Sequence, residues 1–544
     1  MKTLQRLLLL FLAGLILTAC ATNSGLWGVL NTPTPPASQT PLPPTLTPRP
    51  SLTPTLTITP LKVLPMPGSP TPGILPTQPP PPTALPLPVT DTPNPNPSAT
   101  LPPVNTGGPM DSYQTQSGDT LAIISKRFRL QPGQFISNTI LPPPDQLIPP
   151  GTLLLLPKPD PADVTSPGQQ TIPDSEIVMG PSGIGFSTMN YVLQQNGYLS
   201  TFSEYVLSGG MLTGYQAVER IAQENSLNPR IILAIIEYES HWVLGQPTNL
   251  AQDDYPLGYM DFHFRKFFRQ LMWASGTLSD GYYRWRSGDL AEITFKDGTS
   301  LRLNPKLNAG TAAIQFYFAQ THTRAEWDQV ISPAGFPALY TKMFGDPALN
   351  PKANQPTLPE GILQPTLTLP FEPGKVWAFS GGPHSAWEEK GAMAALDFAP
   401  AADEHGCVKS DVWVLAPADG TVVRTAPGVV MLDLDGDGNE ETGWVIMFLH
   451  IATEGKTFTN KELRKGDHIG HASCEGGFAT GTHLHIGRKY NGEWILADGP
   501  LPFDMDGWIA RAGLAPYKGT LTRGNITITA STSGSFETRI IRDK

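Results

Sequence analysis

Cysteine is scarce in this chain. Only Cys20, Cys407 and Cys474 occur among 544 residues, too few for a disulfide-built scaffold or a multi-cysteine metal cluster. Basic charge is also in deficit, with 37 Lys and Arg against 47 Asp and Glu and a formal net charge of −10. That balance excludes the basic footprint that non-specific nucleic-acid binding requires. After the first twenty residues there is no second apolar run of spanning length, so no transmembrane helix is expected. What is present is length, too much for one hydrophobic core, and roughly two to four domains are expected.

The first twenty residues do not read as fold. Lys2 and Arg6 make a basic start, Leu7 to Leu17 an apolar stretch, and Leu17-Thr18-Ala19-Cys20 a small-residue cleavage site. This is the pattern of a secretory signal, residues 1–20. The Cys at its end resembles the lipobox of bacterial lipoproteins. That resemblance implies cleavage before Cys20, lipidation of Cys20, an extracytoplasmic location, and membrane association through the lipid anchor only. With Cys20 so used, Cys407 and Cys474 remain, and an exported compartment permits them to pair as a disulfide.

Residues 21–110 form a Pro/Thr-rich linker. Between Asn31 and Met110 lie 27 of the 59 prolines, which remove amide donors and block helices, so a disordered stalk is expected. Fully extended at about 3.1 Å per residue it would reach on the order of 250 Å. Residues 111–159 are compact in pattern. Tyr113 to Leu121 give a β-type opening and a Ser-Gly-Asp turn, then Leu121, Ile124 and Phe128 follow at helical spacing. Through Gly118-Asp119-Thr120-Leu121 and Pro150-Gly151-Thr152-Leu153 the whole segment resembles a LysM module. The resemblance implies a small βααβ fold that binds N-acetylglucosamine-containing glycans such as peptidoglycan.

Residues 187–349 read as mainly helical. Ala217, Ile221 and Ala222 make one stripe, Asn228-Pro229 opens a helix from Arg230 to His241, and another runs from Gly310 to Gln320. The aromatics between them, among them Tyr259, Phe262, Trp273 and Trp285, suit a sugar cleft or an ordinary core. Residues 350–366, with four prolines, read as a linker. From Leu367 the pattern changes to short β-type runs between Gly, Pro and Asp turns: Val412–Leu415, Gly420–Val423, Val429–Leu432, Trp444–Leu449 and His483–Arg488. Residues 367–518 are therefore expected to form an all-β domain. The tail, 519–544, has β-type character in Ile526-Thr527-Ile528-Thr529 and no assigned role.

Seven of the ten histidines fall between His384 and His485. In Gly481-Thr482-His483-Leu484-His485, positions i and i+2 of a strand place both imidazoles on one face. Asp397 in Leu396-Asp397-Phe398, His384 in Gly381-Gly382-Pro383-His384 and His450 after Trp444–Leu449 extend the set. With Ala418-Asp419-Gly420-Thr421-Val422, Gly466-Asp467-His468-Ile469-Gly470 and Ser473-Cys474-Glu475-Gly476-Gly477 in the same order, the stretch resembles the M23 family of zinc endopeptidases, in its staphylolysin-like branch. Where many relatives carry His four residues before the ligand Asp, this chain has Met393. The branch with a Gly-Gly-Pro-His element takes its first ligand there, which His384 matches. Thr482 stands where Pro is common. The resemblance implies one zinc held by His384, Asp397 and His485, with an open fourth position for water. It implies that His450 and His483 flank the metal, one as general base and either as oxyanion stabiliser. His405, His468 and His471 are left as surface or turn residues.

Two further sites are open in reading. Asp433, Asp435, Asp437, Asn439 and Glu441 place oxygens at alternate positions with a Gly after the third Asp, which suits either calcium or a solvated acidic hairpin. The helix ending Glu237-Tyr238-Glu239-Ser240 resembles that carrying the catalytic acid of lysozyme-like lytic transglycosylases, with Leu257-Gly258-Tyr259-Met260 loosely similar to a second element of that family. By this match Glu239 would protonate a glycosidic oxygen; the alternative is a non-catalytic helical domain. The expected whole is a multidomain α+β chain: a LysM module, a mainly α lysozyme-like middle domain and an all-β peptidase domain. Its expected function is zinc-dependent cleavage of peptidoglycan peptide cross-links, targeted by LysM glycan binding. The rival is a non-catalytic activator of separate wall amidases. Proteins of that kind have lost zinc ligands, whereas all three are present here.

Overall fold

A computed structural model describes residues 108–131, 133–160, 163–387 and 389–544. Cys20 and the stalk at 21–107 lie outside the described residues. Among the described residues no helix is long and apolar enough to cross a membrane.

The core of the C-terminal region is a nine-stranded antiparallel sheet. Its strands run in the order Glu462–Leu463, Gly420–Ala426, Gly428–Asp433, Trp444–Ile451, Leu484–Tyr490, Ala395–Pro400, Val376–His384, Arg539–Ile541, with Glu493–Trp494 pairing beside Leu484–Tyr490. Trp444–Ile451 is buried at every position. Alternate side chains explain why. Val445, Met447 and Leu449 join a core shared with the helices, while Ile446, Phe448 and Ile451 join a second core beneath a four-stranded sheet at 504–529. A sheet covered on both faces needs continuous apolar strands, not alternating ones.

The helices form as their end signals dictate. Asn228 caps Pro229–Ser240 by accepting from the Arg230 amide at 3.0 Å, with Pro229 in the first turn where no amide is needed. His241 closes that helix in the left-handed conformation, φ 59°. Phe267–Arg286 lies along Ala309–Thr321 at a crossing where Gly281 is required. A β-carbon there would lie 2.9 Å from the Phe316 ring and 3.1 Å from the Ala313 Cα. Of the aromatics expected to line a cleft or a core, Phe267, Tyr282, Tyr283 and Trp285 are core, and Phe262 is exposed.

Helices and sheet are joined by buried polar contacts as well as by the shared core. Glu493 accepts from Nη2 of Arg286 at 2.9 Å and from the Tyr282 hydroxyl at 3.0 Å, the Trp494 amide donates to the Tyr283 hydroxyl at 2.8 Å, and the Trp494 indole donates to the Asn225 carbonyl at 3.1 Å.

Three expectations need adjustment. The segment 350–366 is not a free linker: Ala353, Thr357 and Leu358 are buried, and Thr357 accepts from Arg286 at 2.8 Å and meets Ser117 at 3.1 Å. The tail is part of the β-region, since Gly519–Arg523 pairs with Trp508–Ala512 and Arg539–Ile541 pairs with Val376–His384. The small N-terminal module has strands Met110–Gln114, Ile136–Ser137 and Leu153–Pro157 and one helix, Leu121–Phe128. Among the described residues the second helix of a βααβ pattern is absent, and Pro142-Pro143-Pro144 account for that. The module is centred on a buried Arg127–Asp119 pair at 2.8 Å, and Arg127 also donates to the Trp285 carbonyl at the helical surface.

Candidate metal centre

Four strands deliver the histidine and aspartate set. Val376–His384 ends on His384, Ala395–Pro400 carries Asp397, Trp444–Ile451 carries His450, and His485 lies one residue into Leu484–Tyr490, with His483 just before it. His485 is directly opposite Asp397 in the ladder, and Asp397 is opposite Gly381. Leu484, Ile486, Leu396 and Phe398 point into the second core, so Asp397 and His485 point the other way, onto the face shared with the helices. Gly381 makes room there, since a β-carbon on it would sit 2.6 Å from Oδ2 of Asp397.

Backbone carbonyls orient each ring. Nδ1 of His384 is 2.8 Å from the Gly382 oxygen, Nε2 of His485 is 3.0 Å from that of Ala386, Nδ1 of His483 is 2.8 Å from that of Gly481, and Nδ1 of His450 is 2.9 Å from that of Glu475. A carbonyl only accepts, so those nitrogens carry hydrogens, and in a neutral ring the opposite nitrogen is a lone pair. Nε2 of His384 and Nδ1 of His485 then face each other at 3.0 Å, and Oδ1 of Asp397 lies 3.3 and 3.1 Å from them. Oδ1 is buried and has no hydrogen-bond donor. Three acceptors this close repel unless protons or a cation lie between them. Burial shifts His485 toward its neutral form, although Asp397 opposes that shift, so a cation suits the space better than added protons. The separations also match the roughly 3.3 Å between ligand atoms of a tetrahedral ion with bonds near 2.0 Å. The residues present therefore fit zinc.

Burial alone would raise the Asp397 carboxyl, but His384 and His485 outweigh it and hold the group far below the ordinary carboxylate range. His450 is pushed down to about 3, by burial first and then by His483 and His485. It is neutral near pH 7, with Nε2 as a free acceptor. Its own backbone is left-handed, φ 63°, and its carbonyl accepts from the Ser473 amide at 2.7 Å. The His450 and His483 rings stand 4.4 Å apart, and Nε2 of His483 is 3.7 Å from Oδ1 of Asp397.

Sequence reasoning missed Tyr517, whose half-exposed ring stacks on His384 at 4.1 Å between centroids. It lies in a loop with no pattern of its own, held by amide contacts to Gly382 and Pro383, so nothing in the linear sequence marked it. Cys407 and Cys474 are joined, with Cα atoms 5.8 Å apart. Thr482 has a local use: its hydroxyl accepts from the Val408 amide at 2.9 Å and donates to the Val408 carbonyl, fixing the Cys407 loop to the strand of ligands. His468 and His471 pack on Trp413, away from this cluster.

Asp433, Asp435 and Asp437 offer carboxylate atoms within 4.8 Å of one another, on the turn between two sheet strands. Glu441 is not in that group, and Oδ1 of Asn439 accepts from the Glu441 amide at 3.0 Å. Asp435 is pushed up to about 7 by burial and by Asp433 and Asp437. Glu239 lies far along the chain from the histidine set, in the helical region. Its carboxyl accepts from Thr321 at 3.2 Å and is raised to about 8, chiefly by burial, with the Thr321 bond opposing. The backbone of Gly258, φ 85°, lies directly over it, and a β-carbon there would come within 2.5 Å of the carboxyl carbon.

Two histidines and a carboxylate converge on one point, with two further histidines beside them, an arrangement that fits a mononuclear metal centre. Parts of the chain are similar to known proteins. Residues 170–357, the helical region, match the family model described as LasA, N-terminal domain. The chain is 25% identical to Protease LasA of Pseudomonas aeruginosa (strain UCBPP-PA14) over 289 residues, which is 50% of this chain and 65% of that relative, just under two thirds of its length. Among solved structures, the chain resembles the deep-sea M23 metalloprotease pseudoalterin at 21% identity and a TM-score of 0.26, over 31% of this chain and 96% of that one. It also resembles the catalytic domain of lysostaphin from Staphylococcus simulans at 19% identity and a TM-score of 0.16, over 23% and 83%.

Proposed function

We propose that the chain is a zinc-dependent endopeptidase that cuts peptide cross-links of bacterial peptidoglycan. The observation that carries this reading is the bare Oδ1 of Asp397, set within 3.3 Å of two imidazole lone pairs. His384, Asp397 and His485 would hold the ion, which when bound polarises a carbonyl and acidifies water. Nε2 of His450 or His483 accepts the proton from the attacking water. The resulting imidazolium, with its N–H directed into the site, stabilises the developing oxyanion and returns the proton to the leaving amine. The carbonyls of Glu475 and Gly481 keep both rings in the tautomer this requires. The net negative charge leaves glycan binding by the 111–159 module, in the manner of LysM, as the means of targeting. The anchor is lipid on Cys20, and the location is extracytoplasmic.

The deciding experiment is mass spectrometry of peptidoglycan fragments released by the lipid-free chain with and without a zinc chelator. New peptide termini, lost with chelator and with His485→Ala, establish the activity and identify the bond. No new termini from any wall type moves the reading to an activator of separate amidases.

A second activity is supported by one observation: the Leu257–Met260 element folds back on Glu239 and meets its carboxyl at Gly258. A carboxyl kept protonated near neutral pH is what glycosidic-oxygen protonation needs. Glycan-strand cleavage that persists in chelator and disappears in Glu239→Gln would establish it; unchanged cleavage in that variant would dismiss it. The carboxylates of the 433–437 turn are proposed as a calcium position.

A further inference from the structure

The ligands His384 and Asp397 are connected by a loop whose limbs, Ser385–Trp387 and Lys390–Ala394, fold back on each other. The Ala386 amide donates to the Ala392 carbonyl at 2.9 Å, and the Ser385 hydroxyl donates to the Lys390 carbonyl at 3.2 Å. One side of this loop faces the metal cluster, where the Ala386 carbonyl accepts from Nε2 of His485 at 3.0 Å. The other side faces the helices. Ala386, Ala392 and Ala394 belong to the same buried core as Ile221, Leu278 and Tyr282, and Trp387 packs against it. On the second limb, Gly391 (φ 127°) meets the long helix Phe267–Arg286 so closely that a β-carbon on it would lie 2.9 Å from Cβ of the buried Ser279.

From this sandwich we infer that the helical region forms a wall of the metal centre, and that Ser279 and Gly391 are positioning residues acting through the Ala386 carbonyl on His485. The inference rests on the zinc reading above and adds a residue 206 positions before the ligand it positions (485 − 279). The chain of contacts is short. Ser279 abuts Gly391, hydrogen bonds tie the limb of Gly391 to the limb of Ala386, and the Ala386 oxygen holds the hydrogen of His485 on Nε2, which leaves Nδ1 to ligate. Partners of ligating histidines of this kind change metal affinity by about 10–100-fold when disturbed. Ser279 acts one contact further out, so an effect at the lower end is expected.

The test is the zinc dissociation constant of the whole chain, measured by competition with a chromophoric chelator. Ser279→Leu should raise it about tenfold, with helix content by circular dichroism unchanged. Ser279→Ala keeps Cβ in place and should leave the constant as in the parent. Gly391→Ala, which drives a new β-carbon into Ser279, should weaken binding without any change in the helix and serves if Ser279→Leu does not fold. Val445→Ala thins the same shared core away from the loop. It should lower the melting temperature and leave zinc affinity unaltered, which a merely structural effect of Ser279 would not permit. Parent-like affinity in both Ser279→Leu and Gly391→Ala overturns the inference while leaving the peptidase reading intact, as does an equal loss in Val445→Ala. Absence of zinc binding by the parent chain would instead overturn the peptidase reading, and this inference with it.

Discussion

Nε2 of His384 stands 3.0 Å from Nδ1 of His485, with both rings turned so that their hydrogens point away from the gap. Such a pair of facing lone pairs suits a cation between them. Metal analysis of the purified chain should therefore give one zinc per molecule. Zinc at a hundred times its dissociation constant should add about 2.7 kcal/mol of stability, read as a rise in melting temperature. Asp397→Asn keeps the volume and removes the charge. It should lose both the bound zinc and the thermal rise, and a variant that retained them would show that Asp397 is not a ligand.

Glu239 should make the helical region sensitive to pH in a direction opposite to that of most carboxylates. Its folded value is raised to about 8 from an ordinary 4.5, so in the window between them the folded chain keeps a proton that the unfolded chain has released. Stability from this group is fully present below 4.5, falls as pH rises toward 8, and levels off above it. Glu239→Gln cannot ionise. Its melting temperature should equal the parent's near pH 4.5 and exceed it increasingly up to pH 8, the stability gap widening by about 1.4 kcal/mol for each pH step of one. A constant difference across that range would mean that Glu239 ionises normally and cannot act as an acid near neutral pH.

Much of the centre was legible in the sequence because its residues are close in pattern. Positions i and i+2 on a strand must share a face, so His483 and His485 announced themselves, and the apolar run before His450 marked a strand, which the structure buries on both faces. What was not legible depends on contacts between distant segments. Tyr517 reaches His384 through a loop without periodicity. Segment 350–366 is proline-rich yet packed, because Arg286 and Ser117 supply partners for Thr357 that composition cannot show. The tail was unassigned because Arg539–Ile541 finds its partner strand more than 150 residues earlier, at Val376–His384. Most importantly, a boundary between helical and β-regions was drawn at a linker, whereas the structure gives the two a common core.

The acidic turn separates metal binding from simple solvation. Asp435 is raised to about 7 by its burial and by Asp433 and Asp437, so in chelator the turn should lose stability as pH rises from the ordinary carboxylate value through 7. Calcium would compensate the same charges. With calcium the pH dependence should flatten and the melting temperature rise, and Asp435→Asn should abolish the calcium effect while easing the loss seen in chelator. If calcium changes nothing at pH 8, the turn is a solvated hairpin held by the amides that Asp433 accepts from Asp435, Gly436 and Gly438.

Glu493 tests whether helices and sheet unfold as one. Its carboxylate is buried and takes hydrogen bonds from Arg286 and Tyr282, while Arg286 is also paired with Asp174 at 3.0 Å. Replacing Glu493 with Leu leaves the guanidinium one partner short in a place water does not reach. Breaking a buried pair in this way costs about 3–5 kcal/mol. If the two regions are one cooperative unit, calorimetry of the parent gives a single transition for them, and Glu493→Leu moves that whole transition down. If they are independent bodies in contact, the parent shows two transitions and the substitution separates them further. Only the first outcome is compatible with a helical wall that holds the metal centre in place, because a wall that melts first could not set the position of His485 at the temperature where the sheet still stands.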